Sequence, residues 1–549
     1  MITKVKSSGY FGIESFAVDV EVDISKGLPA FNIVGLGDTA INESRERIKA
    51  GIRNSGYKLD PRRITVNLTP ANIKKVGTHF DLPIAVGMME GYGLIKSRKE
   101  ILENYIFMGE VSLAGEVKRT QGIVNGAILA KENKCRGIVI PYDNLKEGSL
   151  IKGIEIIVVK NLKEAVEFLE NGNYKKYDVP EEKEIFNEEI DFYDVKGQEK
   201  AKRALEICAA GGHNLLMVGT PGSGKTMLAK RITTILPPMT DEEKIEVTKL
   251  YSISGKLSET NPVINKRPFR SPHHTSSSTA IIGGGKNPSL GEISLADKGV
   301  LFLDEIVEFK KDVLEALREP LEERKVSVTR AMYKAEFPAD LIFIGACNPC
   351  KCGYAFEDGD LCTCSSGEIS RYMKKLSGPI LDRIDLKIEI KRLTEDELME
   401  DTLRETSEEI RKRVIRAREI QKKRFGCDKR SYDKKRFRKI LQTWRRNESN
   451  YENSCEKLKS FSQKLWQGFK SCKNNKWFGR KKGYRKSSYY GSTFLQNIRT
   501  HIEKLKGGCC FSPLYIKNYF KINLTFSILF SFVSSILNIN LSVSISLPS

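Results

Sequence analysis

Gly219-Thr220-Pro221-Gly222-Ser223-Gly224-Lys225-Thr226 decides how this 549-residue chain is read. The apolar run Leu215–Val218 precedes it and Met227–Leu236 follows, so the pattern predicts strand, tight loop and helix in that order. Gly219, Gly222 and Gly224 let the loop turn with its backbone N–H groups pointing inward. The helix start adds partial positive charge, and the two together make a cradle for polyphosphate. Lys225 would reach the β- and γ-phosphates of ATP and Thr226 would hold Mg²⁺, the roles that the G-x-x-x-x-G-K-T spacing assigns.

Downstream, Gly299-Val300-Leu301-Phe302-Leu303-Asp304-Glu305 is an apolar run ending in two acids. That is the pattern of a buried parallel strand delivering carboxylates to its C-terminal edge. Asp304 would order the Mg²⁺ shell and Glu305 would polarise the attacking water. A third apolar run, Leu341–Ala346, ends close to Asn348, whose amide can bridge the γ-phosphate and that water. From Phe192 onward, strand and helix patterns alternate as in a parallel α/β sheet.

The net charge of +21 invites a nucleic-acid reading, but its distribution forbids applying it to the nucleotide-binding part. Residues 427–549 hold 25 Lys and Arg against 6 Asp and Glu, which leaves 66 against 64 for everything before them. Met1–Phe16 mixes Lys, Gly, Ser and Glu and does not resemble a secretory leader. The twelve cysteines therefore point to reduced thiols or metal in the cytoplasm rather than to a disulfide framework.

Residues 1–170 read as α+β. Ser15–Ile24 and Arg63–Leu68 alternate like strands, Asp38–Ser55 like an amphipathic helix, and Gly109–Glu116 like a hairpin. Gly122–Asn133 reads as a helix and Gly137–Ile140 as a strand ending at Pro141. Residues 171–191 are polar and acidic, the composition of an exposed linker.

Gly77–Ala85 and Gly109–Ile140 resemble the proteolytic domain of Lon, in the form carried by the ComM/YifB (magnesium-chelatase-like) AAA+ ATPases. Arg267–Ser276, Gly283–Gly285, Gly291–Ser294, Leu317–Glu322 and Ser327–Arg330 match the same family where a helix-2 insert and a pre-sensor hairpin face the ring channel. The resemblance runs from about Met1 to Phe425. It implies an AAA+ core over 192–392 with Asn348 as polar sensor, and a helical lid whose beginning is 393–426. It also implies that Gly378–Asp385 supplies Arg383 as an arginine finger to a neighbour's ATP, in a homo-hexamer; a surface ion pair among Asp382, Arg383 and Asp385 is the alternative. In Lon-type proteases a Ser and a Lys form the catalytic dyad. The matching places here fall near His79 and Val124, and Val offers no base, so a scaffold or binding module is expected. His273 and His274 lack a ligand partner at metal spacing and read as loop polarity.

Cys350-Lys351-Cys352, nine residues, then Cys362-Thr363-Cys364 brings two thiol pairs onto the loop after the sensor strand. Four thiolates would fill a tetrahedral structural zinc site, with Cys347 as a competing ligand and reduced free thiols as the alternative.

Beyond Phe425 the family pattern stops, including the Arg that serves it as second sensor. Residues 427–549 contain all three Trp but no Ala and no Met. An out-of-frame translation explains this abrupt change; a basic nucleic-acid tail and a tail anchor around Phe526–Leu537 are the alternatives. The expected protein is thus α/β: a Lon-like α+β part, a P-loop core with a parallel sheet, an incomplete lid and an aberrant tail. The resemblance implies an ATP-dependent DNA motor for branch migration on single-stranded or branched DNA, with no membrane partner. A magnesium-chelatase motor subunit and a lid-damaged ATP-binding protein with little turnover are the rivals.

Overall fold

The computed structural model describes residues 2–179, 190–258, 260–285, 289–330, 333–356, 361–393 and 404–425. The predicted tail 427–549, residues 180–189 of the acidic linker and residues 394–403 of the expected lid lie outside the described residues.

The first sheet contains β1 (Ile2–Phe11), β2 (Glu14–Ser25), β3 (Ala30–Val34) and β4 (Arg63–Thr69) in the order β1-β2-β4-β3. Only the β3–β4 pair is parallel. Alternation buries Val18, Val20, Val22 and Ile24 of β2 on one face, against the nearly all-apolar helix Asp81–Gly91. The helix Thr39–Asn54 begins where Asp38 Oδ1 accepts the Ile41 N–H at 2.9 Å, an N-cap that satisfies one orphan donor. A parallel sheet follows, β5 (Tyr105–Phe107), β8 (Gly137–Pro141) and β9 (Glu155–Val159), with the hairpin β6 (Glu110–Val111) and β7 (Val117–Lys118) beside it. The helix Ile123–Glu132 matches its expected bounds closely.

The third sheet is five-stranded and parallel throughout. Its strands are β10 (Leu215–Gly219), β11 (Phe269–Arg270), β14 (Val300–Leu303), β17 (Ile342–Cys347) and β18 (Leu386–Ile390), ordered β11-β14-β17-β10-β18. Every residue of β10, β14 and β17 is buried, which is why these strands read as unbroken apolar runs. Each fully buried side chain such as Phe302 or Phe343 contributes about 1.5–3 kcal/mol. Register aligns Val218 with Cys347 and Leu303 with Gly345, so the ends of the three central strands lie side by side. Two small antiparallel ribbons stand outside this sheet, β12 (Gly283–Gly284) with β13 (Ser289–Leu290), and β15 (Lys325–Arg330) with β16 (Tyr333–Pro338).

Residues 1–420 form one compact unit. Within it the Ser252 hydroxyl accepts the Gly122 N–H at 2.9 Å and donates to the buried Glu147, joining the helix Asp241–Ile253 to the first half of the chain. The expected lid helix is described as Ser407–Phe425. Its buried contacts are Ile410 and Val414, while Ile420 is exposed. The helix is held instead by Arg413 on Glu206 at 2.8 Å and by Arg418 on the Ala209 carbonyl.

Candidate active site

The loop after β10 closes through Gly222 and Gly224, at φ +75° and +83°, backbone that L side chains adopt only with strain. The helix Lys225–Ile235 starts there. The Lys225 ammonium is buried and donates to the carbonyls of Gly219 at 2.9 Å and Thr220 at 2.8 Å, and to Asn348 Oδ1 at 3.3 Å. Burial pulls its pKa below the ordinary 10.5, against the opposing pull of Asp304, Cys347 and Glu305. Ser223 Oγ ties the loop to the Thr220 carbonyl at 2.8 Å, while Pro221 and Gly222 are exposed.

The Thr226 hydroxyl donates to Asp304 Oδ2 at 2.7 Å, and Asp304 Oδ1 accepts the Glu305 N–H at 3.0 Å. Thus loops from β10, β14 and β17 bring Lys225, Thr226, Asp304, Glu305 and Asn348 to one edge of the sheet. A hydroxyl beside a carboxylate is a hard-oxygen donor pair, which fits Mg²⁺. Glu305 holds φ +48°, which costs an L residue about 1–2 kcal/mol.

His274 reads as loop polarity in the sequence, yet its Nδ1 stands 3.4 Å from Glu305 Oε2. Its ring stacks at a tilt on His273, centroids 4.2 Å apart, and meets Phe309 edge-on at 6.4 Å. The contact exists because β11 pairs with β14, Phe269 opposite Val300, so the loop after β11 emerges beside Asp304 and Glu305. No linear spacing carries that information.

Arg383 pairs with Glu322 at the end of the helix Arg318–Glu323 and donates to the Pro379 carbonyl at 2.5 Å. Asp385 is engaged elsewhere, by the Asn214 N–H at 3.1 Å and His213 Nδ1 at 3.2 Å.

Cys350, Cys352, Cys362 and Cys364 converge, with all four Sγ atoms within 4.8 Å of one another. Individual separations are 3.2 Å for Cys350–Cys352, 3.6 Å for Cys352–Cys362 and 3.8 Å for Cys350–Cys362. A donated Tyr354 N–H holds the Cys352 thiol down, to about 6, toward the thiolate that binds metal. Cys347, weighed as a competing ligand, lies inside β17 in the apolar core and outside this group. A soft four-sulfur set fits zinc, whose structural sites are tetrahedral, and would leave no coordination position for water.

His79 and Val124, near which the Lon dyad places were expected, are both fully packed. His79 Nε2 lies 2.8 Å from the Ser8 carbonyl, and its ring stacks on Tyr10 and Phe80. Burial lowers its pKa from 6.5 to about 4. A histidine kept neutral in the fold loses stability as pH falls, because the unfolded chain takes up the proton first. Between pH 6.5 and 4 the wild type is expected to lose about 3 kcal/mol relative to His79→Gln. Urea unfolding of both proteins across that range checks it, and parallel curves would show that His79 does not set the slope.

The family described as magnesium chelatase, subunit ChlI, matches residues 191–398, and subunit ChlI of Mg-chelatase matches residues 20–144. The competence protein ComM of Haemophilus influenzae is 41% identical over 433 residues, covering 77% of this chain and 83% of the relative. The uncharacterised protein YifB of Escherichia coli is 40% identical over 422 residues, covering 76% and 82%. Lon protease 2 of Bacillus subtilis is 27% identical over 180 residues, covering 28% and 32%. With the phosphate loop, the Asp304–Glu305 strand end and Asn348 gathered on a five-stranded parallel sheet, these relationships show that the chain belongs to the ComM/YifB family of magnesium-chelatase-like AAA+ proteins.

Proposed function

We propose that this chain is a cytoplasmic, ATP-hydrolysing AAA+ motor that works as a homo-hexamer on single-stranded or branched DNA. The observation that carries the motor reading is the meeting of Lys225, Thr226, Asp304, Glu305 and Asn348 at the ends of three adjacent parallel strands. Lys225 and the N–H groups of the loop hold the β- and γ-phosphates. Thr226 and Asp304 hold Mg²⁺, which supplies charge neutralisation on the phosphates when bound. Glu305 takes the water's proton side and Asn348 orients it, while Arg383 reaches the site of the next subunit. The four clustered cysteines hold a structural zinc ion. DNA as the track is supported by the relative named for competence. Among the described residues no helix is long and apolar enough to cross a membrane.

ATP turnover with and without forked DNA tests this reading. Stimulation by the fork is expected. Stimulation by a tetrapyrrole complex instead would select the magnesium-chelatase role. Binding without turnover under every condition would select an ATP-binding protein whose lid, written in residues beyond Phe425, does not close the site.

A further inference from the structure

The cysteine cluster is built into the phosphate site. Cys350 follows Asn348 by two residues, and Asn348 Oδ1 takes a hydrogen bond from the Lys225 ammonium at 3.3 Å. On the other side of Cys350 the chain turns sharply. The Gly353 N–H donates to the Cys350 carbonyl at 3.1 Å, and Gly353 sits at φ +91°. That turn rests on the phosphate loop itself: a Cβ added to Gly353 would lie 2.7 Å from Pro221 Cδ and 2.8 Å from Cγ. Two ends of one short thiol-bearing segment therefore touch the nucleotide cradle, one through Asn348 and one through Pro221.

Among the described residues around the turn, Tyr354 and Leu361 are 39% and 59% exposed, Phe356 packs half-buried against the apolar core, and Cys350 is the one thiol of the four that is fully buried. A loop with few apolar anchors among its described residues keeps more conformational entropy until something closes it. A cross-link at Cys350, Cys352, Cys362 and Cys364 closes it at the point where its backbone meets Pro221.

We infer that the four-thiol knuckle is a metal-dependent buttress of the phosphate loop: zinc there holds Gly353 against Pro221 and Asn348 against Lys225, so metal occupancy sets nucleotide affinity. This rests on the zinc reading given above and adds a coupling to it. The metal takes no part in the chemistry. It lowers the ordering that the loop must undergo when phosphate binds, which is how pre-organisation raises affinity.

The test uses the full chain, elemental analysis for zinc, and calorimetry with Mg·ATP. The purified protein is expected to hold one zinc ion per chain, and the double variant Cys362→Ser/Cys364→Ser none. The variant's Kd for Mg·ATP is expected to rise about tenfold, equivalent to about 1.4 kcal/mol. Chelator-stripped wild type shows the same loss and recovers on adding Zn²⁺, whereas Cys135→Ser, a lone half-buried thiol elsewhere, behaves as wild type. Gly353→Ala separates the coupling from general misfolding, since it keeps all four thiols. It is expected to retain zinc and still bind Mg·ATP more weakly. Zinc bound stoichiometrically, with Kd unchanged on its removal, overturns the coupling and leaves the metal site standing. Failure to find zinc, or a disulfide in its place, overturns both.

Discussion

Replacing Glu305 by Gln is expected to reduce ATP turnover by about 10²- to 10⁴-fold, the range for removing a positioned general base. Binding of Mg·ATP should stay within about twofold, because the substitution keeps the side chain's shape and leaves the phosphate contacts to other residues. The neighbouring acid cannot substitute: Asp304 is committed to the Thr226 hydroxyl at 2.7 Å and to the Glu305 N–H at 3.0 Å. Glu305 differs in being half-exposed, carried on a strained left-handed backbone, and faced at 3.4 Å by the imidazole of His274. A carboxylate so placed is free to meet water. Steady-state turnover and calorimetric binding on the same preparation check the result. Turnover at the wild-type rate would transfer the water-activating role away from this position.

The contrast between those two acids illustrates what a linear sequence conveys. The strand carrying Asp304 and Glu305 was legible because all four of its residues are buried on both faces, leaving an apolar run with polar ends. The phosphate loop was legible because its chemistry is local, fixed by spacing within eight residues. β2 showed itself through alternation, but β1 did not: it buries Thr3, Ser7 and Ser8, and Ser7 is tolerated there because its hydroxyl donates to the Phe107 carbonyl at 2.9 Å. The helix Ser407–Phe425 falls within the stretch expected to begin the lid; Ile410 and Val414 pack inward and Arg413 pairs with Glu206, while Ile420 is exposed. His274 and the Gly353–Pro221 contact were invisible for one reason. Both depend on which strands are neighbours, and strand order is not written in spacing.

The same limit applied to Arg383, whose surroundings come from a helix sixty residues earlier in the chain. Replacing Arg383 by Ala is expected to lower turnover by about 10³-fold or more while sparing Mg·ATP binding, as for a finger that stabilises charge only in the transition state. Within its own subunit the guanidinium is occupied by Glu322 and the Pro379 carbonyl, so reaching a neighbour's phosphate requires exchanging one carboxylate partner for another anion. Arg suits this because its planar fork stays charged and bidentate in either place. Mixing decides whether the residue acts across an interface. Lys225→Ala subunits lack a working cradle and Arg383→Ala subunits lack the finger, so each alone should be inactive. Rings containing both bring an intact Lys225 next to an intact Arg383 at some interfaces, and turnover should reappear in proportion to those pairings. An arginine serving its own subunit gives no recovery at any mixing ratio. Full activity of Arg383→Ala alone would reduce the residue to a structural ion pair between a mostly covered guanidinium and the exposed Glu322, with nothing contributed to catalysis.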